Sequence, residues 1–143
     1  MTLRGEQPLS TGERRYPPLA TWLKTAQGHM QQVDAALATA NLPTAARKGM
    51  AVKVDGRTTN VDALLGAVRH HLNEEYPHLL RDLTEHSLTG IYASNLNDQY
   101  WLEEILANTS LPASVTATLE ALQNHLGAIP PSNALEAEKQ QTP

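Results

Sequence analysis

Residues 19–42 read LATWLKTAQGHMQQVDAALATANL, and this stretch decides the fold. Its apolar positions are Leu19, Leu23, Ala26, Met30, Val33, Leu37 and Ala40. The steps between them alternate four and three, the period of a helix that buries one stripe, and Trp22 widens that stripe. Pro17 and Pro18 suit a helix start, and Asn41 with Pro43 suits its end. Such a seam serves either a coiled-coil contact between chains or one stripe of a bundle within a chain. The bundle is the commoner use of this geometry.

The rest of the composition agrees with packed helices. The chain has 143 residues, no cysteine, no phenylalanine and only 4% aromatic residues. Leucine and alanine supply the apolar mass, whereas sandwiches and barrels draw on β-branched and aromatic side chains. The length fits one domain with a core that needs no staples. The absence of cysteine removes disulfides, thiolate nucleophiles and thiolate metal sites, and fits a reducing, cytoplasmic compartment. No apolar run at the N-terminus resembles a signal peptide, and no stretch approaches the roughly 18 apolar residues of a membrane span. The expectation is therefore an all-α bundle of four to five helices over 18–128. A polar, flexible arm is expected over 1–17 and a flexible tail over 129–143.

Outward from the first helix, the period breaks at MAVKVDGRTTNV, residues 50–61. Met50, Val52 and Val54 alternate with Ala51, Lys53 and Asp55, and Asp55-Gly56 favours a two-residue hairpin turn. Residues 50–59 read either as a small β-hairpin lying on the helices or as an irregular connection with one extended arm. Asn60 then reads as an N-cap, with Asp62 in the first turn. The following helix carries Val61, Leu64, Leu65, Val68 and Leu72 and ends or kinks at Tyr76-Pro77. A second helix is expected from Pro77, with Leu79, Leu80, Leu83, Ser87 and Ile91 on one side and a stop near Ser94-Asn95. Asn97 is expected to cap a short helix bearing Trp101, Leu102, Ile105 and Leu106. Ser110 is expected to cap the last helix, whose stripe is Leu111, Val115, Leu119, Leu122 and Leu126. Gly127 is expected to close it in the left-handed region ahead of Pro130-Pro131.

Four of the six histidines fall in HHLNEEYPHLLRDLTEH, residues 70–86. On one ideal helix His71, Glu75, His78, Asp82 and His86 form a stripe beside the leucines, at the rim of the core. His78 and His86 would start about 12 Å apart along the axis, too far to share one ion. A metal site would need further ligands from another helix or chain. Glu75-x-x-His78 has the form of the di-metal bundle motif, but no second copy exists. The stripe thus reads first as a polar rim, and as a metal-binding or pH-sensing site only in the alternative. No cofactor is expected.

Other motifs are mostly negative. There is no phosphate-cradling glycine loop, no nucleophile elbow and no H-E-x-x-H. The net charge of −4 hides a split: eight of the eleven Lys/Arg lie at or before Arg57, and eleven of the fifteen acids lie after it. Arg47, Lys48, Lys53 and Arg57 surround the hairpin candidate and could touch phosphates. No recognition-helix pattern or stacking aromatic accompanies them, so nucleic acid ranks last among partners. The best interaction candidate is GIYASNLNDQYWLEEIL, residues 90–106, where Ile91, Tyr92, Leu96, Tyr100 and Trp101 gather around an expected helix junction. Tyrosine and tryptophan are common interface anchors. Trp101 alone reads equally well as a core plug.

Three functions follow from these readings. The first is a non-catalytic protein-interaction module, of adaptor, chaperone-like or inhibitor type, that forms a homo-dimer or larger oligomer. The second is a metal-binding or acid–base helical enzyme using the stripe at 70–86. The third is a nucleic-acid accessory protein using the basic early half.

Overall fold

The computed structural model describes residues 17–131, so the expected arm, apart from Pro17, and the expected tail beyond 131 lie outside the described residues. Helix α1 (Pro17–Thr39) is followed by a short α2 (Thr44–Lys48), then strands β1 (Ala51–Val54) and β2 (Arg57–Asn60). A rod then runs through α3 (Val61–His70), a π-helical turn (His71–Glu75) and α4 (Tyr76–Arg81). Helices α5 (Glu85–Asn108) and α6 (Ala113–Gly127) complete the fold. With that rod counted once, five helices and one small antiparallel sheet make an all-α bundle with a hairpin.

The seam of α1 faces inward along its whole length: Leu19, Trp22, Leu23, Ala26, Met30, Val33 and Leu37 are all buried. It packs mainly on α6, which turns Val115, Leu119, Leu122 and Leu126 toward it and toward α5. The hairpin forms. Asp55 and Gly56 both adopt positive φ, 52° and 79°, the two left-handed residues of the turn that matches strand twist. The register pairs Val54 with Arg57 and Val52 with Thr59, which puts Val52, Val54, Arg57 and Thr59 on one face. Val52 is buried, and β1 rests on α5. Asn60 caps α3, its side-chain oxygen accepting from the Ala63 N–H at 2.8 Å.

Several helix ends differ from expectation. Pro77 stands in the first turn of α4, as expected, but the rod continues through it rather than ending there. Just before Pro77 the chain widens into the π-turn, where the Tyr76 N–H donates to the His71 carbonyl five residues back. That extra residue makes room for a ring that would otherwise press on a carbonyl four residues earlier. Tyr76 keeps helical angles, φ −66° and ψ −42°, against the bias of a residue preceding proline. Its side chain is completely buried and hydrogen-bonded, and that packing outweighs the local preference. The true break comes at Asp82, with φ −126° and ψ 70°. Thr84 and Ser87 then form a reciprocal capping box: the Ser87 N–H donates to Thr84 Oγ1 and the Thr84 N–H to Ser87 Oγ.

Ser94, Asn95 and Asn97 are not a junction but lie inside α5, an unbroken helix of 24 residues. Asn95 and Asp98 occupy its buried face. Ser110 does not cap α6, whose N-cap position is Pro112 without a side-chain cap. Gly127 is not left-handed. It is the last residue of α6, and the C-cap Ala128 has φ −90°. A Cβ at Gly127 would meet Gln99 Oε1 at 3.4 Å, an ordinary contact with the end of a flexible side chain, so neither space nor backbone angle demands glycine there. The sequence also gave no sign of α2. Its Arg47 donates to the Leu42 carbonyl at 2.6 Å and pairs with Asp62 at 2.9 Å, tying the connection to the start of α3.

Candidate functional site

The π-turn and α5 meet at a carboxylate that the sequence did not single out. Asp98 has no solvent exposure, yet it is ionisable. The Tyr76 hydroxyl donates to its Oδ2 at 2.5 Å, and His71 Nδ1 lies 2.6 Å from its Oδ1. A carboxylate so placed selects the His71 tautomer with a proton on Nδ1 and turns Nε2 away from the pair. The hydrogen bond to Asp98 raises the His71 pKa above its ordinary value, against the pull of burial, and the charges of Asp98 and Glu75 add to the rise. Burial pushes the Asp98 carboxyl upward, opposed by its hydrogen bonds to His71 and Tyr76. Burial also drives the Tyr76 phenol far above its usual value, so it stays a donor.

The His71 ring stacks with two aromatic rings. Tyr76 lies 5.7 Å away between ring centroids at an interplanar angle of 28°, and Trp101 lies 5.9 Å away at 25°. Trp101 in turn forms a wall of an open cleft of about 500 Å³, with Val54, Asp55, Arg57, Thr59 and Leu64. The cleft therefore runs between the inner face of the hairpin, α3 and α5. Its lining is largely apolar, with Arg57 and Asp55 at the turn.

A second cluster of rings joins α1 to α6. Trp22 Nε1–H donates to the His125 carbonyl at 2.9 Å, and His125 Nε2 donates back to the Trp22 carbonyl at 2.9 Å. The His29 ring stands 5.1 Å from that of His125. Burial, and then the charge of His125, lower the His29 pKa. Trp22 is in van der Waals range of Tyr76, with centroids 6.1 Å apart, so aromatic and imidazole rings run across the bundle from His29 to Trp101.

The expected interaction cluster divides. Ile91 belongs to the core, at 0% exposure. Tyr92 is half-buried, its hydroxyl donating to the Pro130 carbonyl. Leu96 is 68% exposed, the one large apolar side chain so open among the described residues. Tyr100 is half-buried, with its hydroxyl at the long distance of 3.4 Å from Asp55 Oδ1. Trp101 stands about 100° around α5 from Tyr100. Tyr92 and Leu96 thus lie on one flank of α5 while Trp101 lies on the other, because no junction exists to gather them.

The expected histidine–acid stripe also breaks up. His71 is held by Asp98, and Glu75 is half-buried beside it. His78, Asp82 and His86 are exposed, and the break at Asp82 puts His78 on α4 and His86 on α5, so they do not share one helical face. His70 pairs with Glu74 at 2.7 Å on the surface. Among the described residues no three His, Asp or Glu side chains stand together as a metal-ligand set. Of the basic residues near the hairpin, Arg47 is engaged by Asp62, whereas Lys48, Lys53 and Arg57 are exposed. Among the described residues no helix is long and apolar enough to cross a membrane.

Asp98 escaped the sequence reading because its two partners lie 22 and 27 residues away, with no spacing rule to connect them. The faint signal was an acid on the apolar stripe of α5, two turns after Ile91 and one turn before Leu102. Comparison with known protein families, curated proteins and solved structures finds no match to this chain.

Proposed function

We propose that this protein is a non-catalytic protein-interaction module whose working surface is the cleft walled by Trp101 and the hairpin. One observation carries this reading. The chain has two tryptophans, and while Trp22 is sealed in the core at 4% exposure, Trp101 is only half-buried, at the edge of an open, mostly apolar cleft. A rigid indole at a cleft is a favoured anchor for a partner side chain. Leu96 on the other flank supplies a second apolar contact, and self-association into a homo-dimer belongs to the same reading. So does a cytoplasmic setting.

The test is affinity enrichment from source cells with the wild-type protein, Trp101→Ala, Tyr100→Ala and a remote surface variant such as Arg81→Ala. The expected result is loss of the same partners in Trp101→Ala and their retention in Arg81→Ala. Identical partner sets for wild type and a folded Trp101→Ala would discard the cleft as the working surface.

Acid–base catalysis at His71 is a second reading, favoured by the Asp98 contact that fixes one ring nitrogen. It ranks below the first because the hydroxyl placed at this cluster, that of Tyr76, is committed to Asp98.

A further inference from the structure

His71 sits between the buried carboxylate and the wall of the cleft. Its Nδ1 holds Asp98, and its ring face supports Trp101. Both contacts come from α5, whereas His71 itself belongs to the rod of α3 and α4, so the imidazole bridges two elements. It stands on a π-helical turn, a backbone irregularity that concentrates at functional positions. Its side chain is 19% exposed, so it can exchange protons with solvent, while Asp98 cannot reach water at all.

We propose that the protonation state of His71 sets whether Trp101 is held as the wall of the cleft. This deepens, and rests on, the reading of that cleft as an interaction surface. With His71 protonated, an imidazolium pairs with the buried Asp98 carboxylate and lies against the indole face, an arrangement favoured by charge pairing and by cation–π attraction. With His71 neutral, the carboxylate keeps its two donors but loses the compensating charge, and the indole loses its cation. The contact between the π-turn and α5 weakens, and Trp101 moves more freely.

The groups around His71 support this assignment from every side. Asp98 and Trp101 face it from α5, and on its own rod stand Glu75, Tyr76 and His70, the last held by Glu74. From α1 the side chain that reaches the π-turn is the neutral Gln27, whose Nε2 donates to the Leu72 carbonyl at 2.8 Å. Asp34 of α1 is held by Arg69. From the hairpin, Asp55 and Arg57 line the cleft that Trp101 walls. Two carboxylates, Asp98 and Glu75, thus act on the imidazole, and both favour its proton.

The experiment is fluorine NMR of the full chain carrying 5-fluorotryptophan, titrated with pH. Two resonances are expected and are assigned with Trp101→Phe. The Trp101 resonance should move in a single step centred above the ordinary histidine value of 6.5. That step should vanish in His71→Gln and shift to lower pH in Glu75→Gln, a substitution outside the core. The Trp22 resonance, whose indole stacks on His125, should keep the same pH profile in wild type and His71→Gln, which serves as an internal control. Amide hydrogen exchange, corrected for intrinsic rate, should show π-turn protection falling about tenfold across the Trp101 step, equivalent to about 1.4 kcal/mol. In His71→Gln that protection should not change with pH. A Trp101 step that survives in His71→Gln, no Trp101 step between pH 5.5 and 9, or a step with constant π-turn protection would each overturn the proposal. Neither readout needs a partner. Their failure therefore leaves the interaction reading to its own enrichment test, and a failed enrichment leaves the Trp101 step standing.

Discussion

A carboxylate with no exposure to solvent has to be held by its hydrogen bonds, and Asp98 has one on each oxygen. Removing the Tyr76 hydroxyl leaves Oδ2 buried without a donor. Tyr76→Phe should therefore cost about 1–3 kcal/mol, measured by urea unfolding at pH 7. The same residues make stability depend on pH with a defined sign. His71 holds its proton more tightly in the fold than in the unfolded chain. Its contribution is complete below 6.5 and fades as pH rises through the higher folded value. Asp98 has the same sign, since its raised folded value means a contribution present in acid and lost as pH rises through that value. His29 has the opposite sign: its lowered folded value gives a contribution present above 6.5 and lost as pH falls through the folded value. The unfolding midpoint should decline on the alkaline side of 6.5 in the wild type, and His71→Gln should flatten that decline. Parallel curves for the two proteins would remove His71 as its source.

Among the elements, α5 shows why some of the fold could be read in the sequence and some could not. Helix α1 was legible because every seventh-residue pair of its stripe is apolar and packing rewards that period directly. The hairpin was legible through Asp55-Gly56, where the turn demands two left-handed residues. Helix α5 was misread as two pieces because Ser94, Asn95, Asn97 and Asp98 have the polarity of a loop, while two of them face the core. A buried polar pair erases the amphipathic signal; Tyr76 and His71 satisfy Asp98 and Gln99 donates to Asn95 Oδ1, while the buried Asn95 Nδ2 has no partner among the described residues. The start of α5 rests on the Thr84–Ser87 box, so Thr84→Ala should cost about 1 kcal/mol in urea unfolding, with no change in the Trp101 environment. Gly28 sits in the middle of α1 with open space where a Cβ would go. Gly28→Ala should raise stability by about 0.5–1 kcal/mol, and a loss on thermal or urea unfolding would show that the α1 surface is needed elsewhere.

At the scale of the whole molecule, one core joins all the long helices. Leu119 on α6 is fully buried among α1 and α5, and Leu119→Ala should cost about 2–5 kcal/mol in a single cooperative transition. Two separate transitions would mean that α6 and the hairpin side unfold independently. The reciprocal pair between Trp22 and His125 fastens the beginning of α1 to the end of α6. The chain therefore enters and leaves the bundle at neighbouring points, like the two ends of a closed necklace. The segment 17–131 should tolerate being spliced into a surface loop of a host protein, or being rejoined at its own limits and reopened at the exposed Asp55-Gly56 turn, without drawing its helices apart.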